Sequence, residues 1–128
     1  MSGYVTNIEK KTLENDNFRE VLFTGPQSQL VVMSLRAGEE IGLETHHDRD
    51  QFIRVEAGTG KAILNGEEYK LSDGSAVVIP AGTEHNIVNS SSSEELKLYT
   101  LYSPPEHPDG TIHKNKAEAE AYEKEHHS

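Results

Sequence analysis

Residues 38–58, GEEIGLETHHDRDQFIRVEAG, and residues 74–89, GSAVVIPAGTEHNIVN, decide how this chain is read. Glu44 and His46 stand two apart, so on a β-strand both point to one face. Thr45 and His47 then point to the other. Asp48-Arg49-Asp50 has the character of a tight turn or bulge, after which Gln51 re-enters the same interior. Ile53 and Val55 continue that inward face, while Arg54, Glu56 and Phe52 fall outside. An outward Phe52 calls for cover, from a partner surface or from the N-terminal segment. In the second stretch, Pro80 and Gly82 fix a turn, and His85, Ile87 and Asn89 alternate onto one face. Oxygen and imidazole groups converging from two hairpins form a place where a divalent cation can act as a Lewis acid.

Outward from these stretches, short apolar segments alternate with turn residues. Arg19 to Thr24 and Gln29 to Leu35 read as strands joined by Gly25-Pro26-Gln27-Ser28. Gln51 to Glu56, Lys61 to Leu64 and Glu67 to Leu71 follow, the last two across Asn65-Gly66, a two-residue hairpin signal. Ala76 to Ile79, Asn86 to Asn89 and Leu96 to Tyr102 complete about eight or nine strands, the pattern of an all-β sandwich or barrel. A helix is expected only at the end, over Lys116 to His126, with Asn115 as its cap and Glu118 as the reciprocal partner. Glu120 and Lys124 support it as an i,i+4 pair, and Ala117, Ala121 and Tyr122 form its thin apolar face. Residues 103–110, SPPEHPDG, form a stiff extended connection. The expected organisation is a single domain over residues 1–128, with a barrel core at about 19–103 and the tail and helix at about 104–128.

The chain has 128 residues and a formal net charge of -10. Such a surface repels phosphate backbones and anionic lipid, so neither nucleic acid nor a membrane is an expected partner. It contains no cysteine, which excludes disulfides, thiolate metal sites and a cysteine nucleophile and fits a reducing, cytoplasmic setting. The first residues lack the apolar core of a signal peptide, and no apolar run is long enough to span a bilayer.

The spacings resemble those of the cupin family. Its first motif is Gly, five residues, His-x-His, three or four residues, Glu, six residues, Gly. Here Gly38, Glu44-x-His46, Gln51 and Gly58 keep every interval. Its second motif matches at Gly74, Pro80, Gly82, His85 and Asn89. The resemblance covers roughly residues 19–103, and the tail from Ser103 to His113 is similar to that of a bacterial subgroup often described as mannose-6-phosphate-isomerase-like. It implies a double-stranded β-helix, a jelly-roll barrel with a divalent metal inside, and very often a homodimer. The ligand set it implies is Glu44, His46, Gln51 and His85. Relative to the family pattern, the first His is Glu44 and the Glu is Gln51, so the single carboxylate has changed place. Two imidazoles and a carboxylate still form a set with open positions, and Fe, Mn, Ni, Co and Zn all suit it.

Other polar residues divide between the site and plainer roles. His47 faces away from the site unless the register slips by one. Asp48 and Asp50 read as turn residues, with Asp48 an outside candidate ligand. His107 and His113 lie in the tail, which can drape over the barrel mouth. Of Tyr99 and Tyr102, at most one points inward; Arg36 is a further candidate for substrate contact, and Met33 packs beside Leu35. His126 and His127 take no part in the site. Three functional classes follow: a metalloenzyme on a small organic substrate, of dioxygenase or sugar isomerase/epimerase type; a non-catalytic module binding a small metabolite; or a structural barrel.

Overall fold

The structure is a computed structural model and describes residues 2–126. Its elements in order are α1 (Ile8–Glu14), β1 (Arg19–Thr24), β2 (Gln29–Leu35), β3 (Glu44–Thr45), β4 (Asp50–Ala57), β5 (Gly60–Leu64), β6 (Glu67–Leu71), β7 (Ala76–Ile79), β8 (Glu84–Val88), β9 (Leu96–Ser103), β10 (Ile112–His113) and α2 (Lys116–His126). Two antiparallel sheets form, one of six strands ordered β10-β1-β2-β9-β4-β7 and one of four ordered β3-β8-β5-β6. This is the expected all-β double-stranded β-helix. β9 lies between β2 and β4, paired along its length with both. No helix among the described residues is long and apolar enough to cross a membrane.

Alternation builds the core. Val31, Met33 and Leu35 of β2, Ile53 and Val55 of β4, and Leu96 and Leu98 of β9 are buried on the inner face of the larger sheet. Ala62 and Ile87 meet them from the smaller one. Met33 therefore packs beside Leu35, as expected. The Asn65-Gly66 turn has positive φ at both residues, 49° and 84°, the conformation that lets a two-residue loop follow the strand twist.

Asn89 closes the second motif, and its role is structural. Its side-chain nitrogen lies 3.0, 3.1 and 2.8 Å from the carbonyl oxygens of Leu35, Arg36 and Glu94. Asn89 is fully buried, so without its amide the Leu35 and Glu94 carbonyls lose this donor, and the Arg36 carbonyl keeps only the Glu39 N–H, at 2.9 Å. Asn89→Ala is expected to cost roughly 2–4 kcal/mol in a urea unfolding titration. A loss below about 1 kcal/mol would show that the carbonyls find other donors.

Four expectations need correction. A helix, α1, also forms near the N-terminus. Its seven residues are too polar to show a periodic apolar face, and it is held by Asn7, whose side chain accepts from the Lys10 N–H at 3.0 Å. It packs across the outside of the larger sheet, where Lys97, an outward residue of β9, bonds the Asn15 carbonyl. The outward residues Val32, Ser34 and Glu56 are buried there. Second, β10 completes the larger sheet from within the tail, beyond the reach of a pattern read over two residues. Third, Ala119 is the buried alanine of α2, while Ala117 and Ala121 are exposed. Ala119 and Tyr122 share the docking face, and the Tyr122 ring stands 5.4 Å from that of His113. Fourth, Asn115 caps α2 by accepting from Glu118 N–H at 2.9 Å, but the Glu118 carboxylate reaches back to Lys114 N–H, at 2.8 Å. His127 lies outside the described residues.

Candidate metal centre

The short β3 exists because it pairs with β8, and its register sets Glu44 directly across from His85. His46 follows immediately, and its carbonyl accepts from Gly82 N–H at 2.8 Å. Gly82 sits at φ +88°, a left-handed turn that favours glycine. This bond ties the turn of the second motif to the ligand segment of the first. One donor atom each from Glu44, His46 and His85 lie within 4.8 Å of one another. The two imidazole rings are 5.3 Å apart.

Both imidazoles are oriented through their far nitrogens. His85 Nδ1 lies 2.9 Å from the Thr83 carbonyl oxygen. His46 Nδ1 lies 2.9 Å from Glu106 Oε2. An oxygen acceptor at Nδ1 places the proton there and leaves the Nε2 lone pair free. His46 Nε2 is buried and has no hydrogen-bond partner among the described residues. Gln51, on β4, donates from its nitrogen to Thr100 Oγ1 at 3.0 Å, which turns its oxygen the other way. That Oε1 is also buried and without a hydrogen bond. Buried polar atoms are almost always satisfied, so two orphaned acceptors, one of them on His46 next to Glu44 and His85, fit a cation. The donor chemistry agrees: two nitrogens and two oxygens suit a divalent transition metal.

The tail closes the mouth. Gln29 holds it, accepting from the N–H groups of Glu106 and His107 at 3.1 and 3.0 Å and donating to the His107 carbonyl at 2.7 Å. Arg49 Nη1 contacts the Pro105 carbonyl and lies 3.2 Å from Glu106 Oε1. Glu106 is thereby fixed between Arg49 and His46. Glu44, His46, Glu106, His107 and Pro108 line a cavity of about 510 Å³.

Electrostatics follow from these contacts. Burial pushes the Glu44 carboxyl up, against the opposing pull of His46, Arg19 and His85. The hydrogen bond to Glu106 raises His46, although its own burial works the other way. Burial alone would raise Glu106, but the hydrogen bond and charge of His46, with Arg49, leave its pKa below the usual carboxylate value. Burial and the neighbouring Arg19 push His107 down to about 3, so its imidazole is neutral.

Of the four expected ligands, Glu44, His46 and His85 converge, and Gln51 is buried with its oxygen free. Among the other candidates, His47 is exposed, and Asp48 is exposed and paired with Arg49. Arg36 is exposed. Tyr102 is the inward tyrosine, 6.1 Å from His46 between ring centroids. His107 does reach the mouth; His113 instead sits on β10, with its Nδ1 3.3 Å from Arg19 Nη1. Sequence reasoning missed Glu106, Arg49 and Arg19. Arg49 hid in a run that reads as turn. Glu106 stands beside His107 in a tail that can drape over the barrel mouth, and that adjacency is its signal in the sequence.

The Cupin domain family model matches residues 31–102. The YrkC protein of Bacillus subtilis is 45% identical over 126 residues, covering 94% of this chain and 67% of that protein. The crystal structure of BH2720 from Bacillus halodurans superposes with a TM-score of 0.89 at 44% identity, covering 92% of this chain and 93% of that one. Quercetin 2,3-dioxygenase of Bacillus subtilis is 35% identical over 78 residues, 61% of this chain but 23% of that enzyme. The chain belongs to the cupin family.

Proposed function

We propose that Glu44, His46, Gln51 and His85 hold a divalent transition metal and that the protein is a metalloenzyme acting on a small organic substrate, with oxygenase chemistry the favoured type. The orphaned acceptors His46 Nε2 and Gln51 Oε1 carry this reading. A metal held there supplies a Lewis acid with positions left for substrate oxygens. The likeness to a quercetin dioxygenase supports oxygenase chemistry. Around the centre, Glu106 and Thr83 hold the two imidazoles in the tautomer that presents Nε2. His107 and Pro108 line the mouth, with the buried Tyr102 behind His107.

Elemental analysis of protein purified without chelator, with oxygen uptake across a panel of catechols and diketones, tests the proposal. Bound divalent metal and substrate-dependent uptake are expected. Protein that neither carries nor takes up Mn, Fe, Co, Ni or Zn would sink the metal reading. A metabolite that co-purifies unchanged, with metal and without oxygen uptake, would turn the reading to a binding module.

The site has a predictable pH response. Metal must displace the proton at His46, whose pKa is raised above the ordinary imidazole value. Apparent affinity is therefore expected to weaken as pH falls through that raised pKa, by about tenfold per pH unit below it. Glu106→Gln removes the group that raises it. Calorimetric titration with Co²⁺ should show ~10- to 100-fold weaker binding in this variant at pH 8. Its acid limb should move to lower pH. Unchanged affinity would mean that Glu106 does not orient a ligand.

A further inference from the structure

Arg19 points inward from the first residue of β1 and is 5% exposed. Its guanidinium stacks near Phe18, at 5.3 Å from the ring centroid, and its Nη1 meets His113. Among the described residues it has no ion pair, and its Nε is buried with no hydrogen-bond partner. Glu44 feels its charge but makes no ion pair with it, and the buried Nε keeps an unmet donor that an acceptor from outside the chain can satisfy. Arg19 lines a cavity of about 340 Å³ together with Glu44, and Glu44 also lines the cavity of His46 and Glu106. Glu44 thus lines both cavities, and Arg19 stands near enough to act on Glu44 and on His107 at the mouth of the candidate metal centre. A volume of this size accepts a small organic ligand.

Charge points to the same conclusion. Around the site, Arg19 and Arg49 stand against Glu44, Glu106 and the exposed Asp48. A divalent cation on the donor set makes the balance there net positive. Lys116, Glu120 and Glu123 of α2 also line the Arg19 cavity.

We infer that Arg19 is the anion-binding half of the site, taking one carboxylate of a small organic acid whose remaining oxygens reach the metal held by Glu44, His46 and His85. This rests on the metal reading above and adds the substrate class. The planar guanidinium suits a carboxylate edge, and its unpaired Nε supplies one of the donors.

Oxalate, with two oxygens for the metal and two for the guanidinium, is the probe, titrated into cobalt-loaded protein and followed by the cobalt absorption bands. Imidazole, a neutral metal ligand, is the control. In Arg19→Met, oxalate is expected to bind ~10- to 100-fold more weakly than in wild type, with imidazole affinity unchanged. Arg19→Lys, which keeps the charge and loses the fork, is expected to fall between and serves if the methionine variant does not fold. Wild-type oxalate affinity in the variants, or an equal loss for oxalate and imidazole, would overturn the role of Arg19. Wild-type protein that develops no cobalt bands would overturn the metal reading and this inference with it.

Discussion

His46→Ala and His85→Ala are each expected to abolish the thermal stabilisation that divalent metal confers on the wild-type protein. A ligand that binds only the folded state stabilises it by about 2.7 kcal/mol at a free concentration near a hundred times its Kd. For a chain of this length that corresponds to a rise in Tm on the order of 10 °C. Both variants remove an imidazole whose proton is already placed on the far nitrogen, so neither leaves a substitute donor. Gln51→Ala should lose less, because it deletes a neutral oxygen. Differential scanning calorimetry with and without Co²⁺ measures all three. A full Tm rise in both histidine variants would show that the convergence of Glu44, His46 and His85 serves some other purpose.

Gly58→Ala is expected to be the most damaging single methyl group on the barrel. Gly58 has φ +96°, and a Cβ there would stand 2.3 Å from the Glu95 carbonyl oxygen and 3.1 Å from Leu96 Cα. Those atoms are backbone at the entry to β9, so relief requires the strand to move. The left-handed conformation alone costs an alanine about 1–2 kcal/mol, and the displacement of β9 adds to it. A loss of at least ~3 kcal/mol is expected in urea unfolding. Gly66→Ala is the control. Its φ is +84° with nothing within 4 Å of the added carbon, so it should cost only about 1–2 kcal/mol. Equal losses in the two variants would mean that the close approach at Gly58 is relieved without strain.

The double-stranded β-helix and the meeting of Glu44, His46 and His85 were legible because both depend on local spacing. A period of two sets which side chains share a face, and the Pro80-Ala81-Gly82 and Asn65-Gly66 turns set where strands reverse. What was not legible depends on contacts between distant segments. The Glu106–His46 bond joins residues sixty positions apart, and neither neighbourhood encodes the other. Arg19 reads as an ordinary strand-end cation until Phe18 and His113 are seen to enclose it. The helix α1 is stabilised by the sheet it covers, so its own polar sequence gives little sign of it. The docking face of α2 was misjudged for the same reason: Ala117, Ala119 and Ala121 are alike in sequence, and only the approach of the barrel distinguishes them.

The position of β9 has a kinetic consequence. The strand that comes late in the chain is the one that joins β2 to β4 in the larger sheet. Those two strands cannot be zipped together by any hairpin; they must wait, edges open, for residues 96–103 to arrive. The closing contacts therefore span large loops, whose entropy is lost before the pairing is gained. Refolding on the millisecond-to-second scale of high-contact-order β-proteins follows. During that interval the open edges of β2 and β4 are the surfaces on which two copies would mispair.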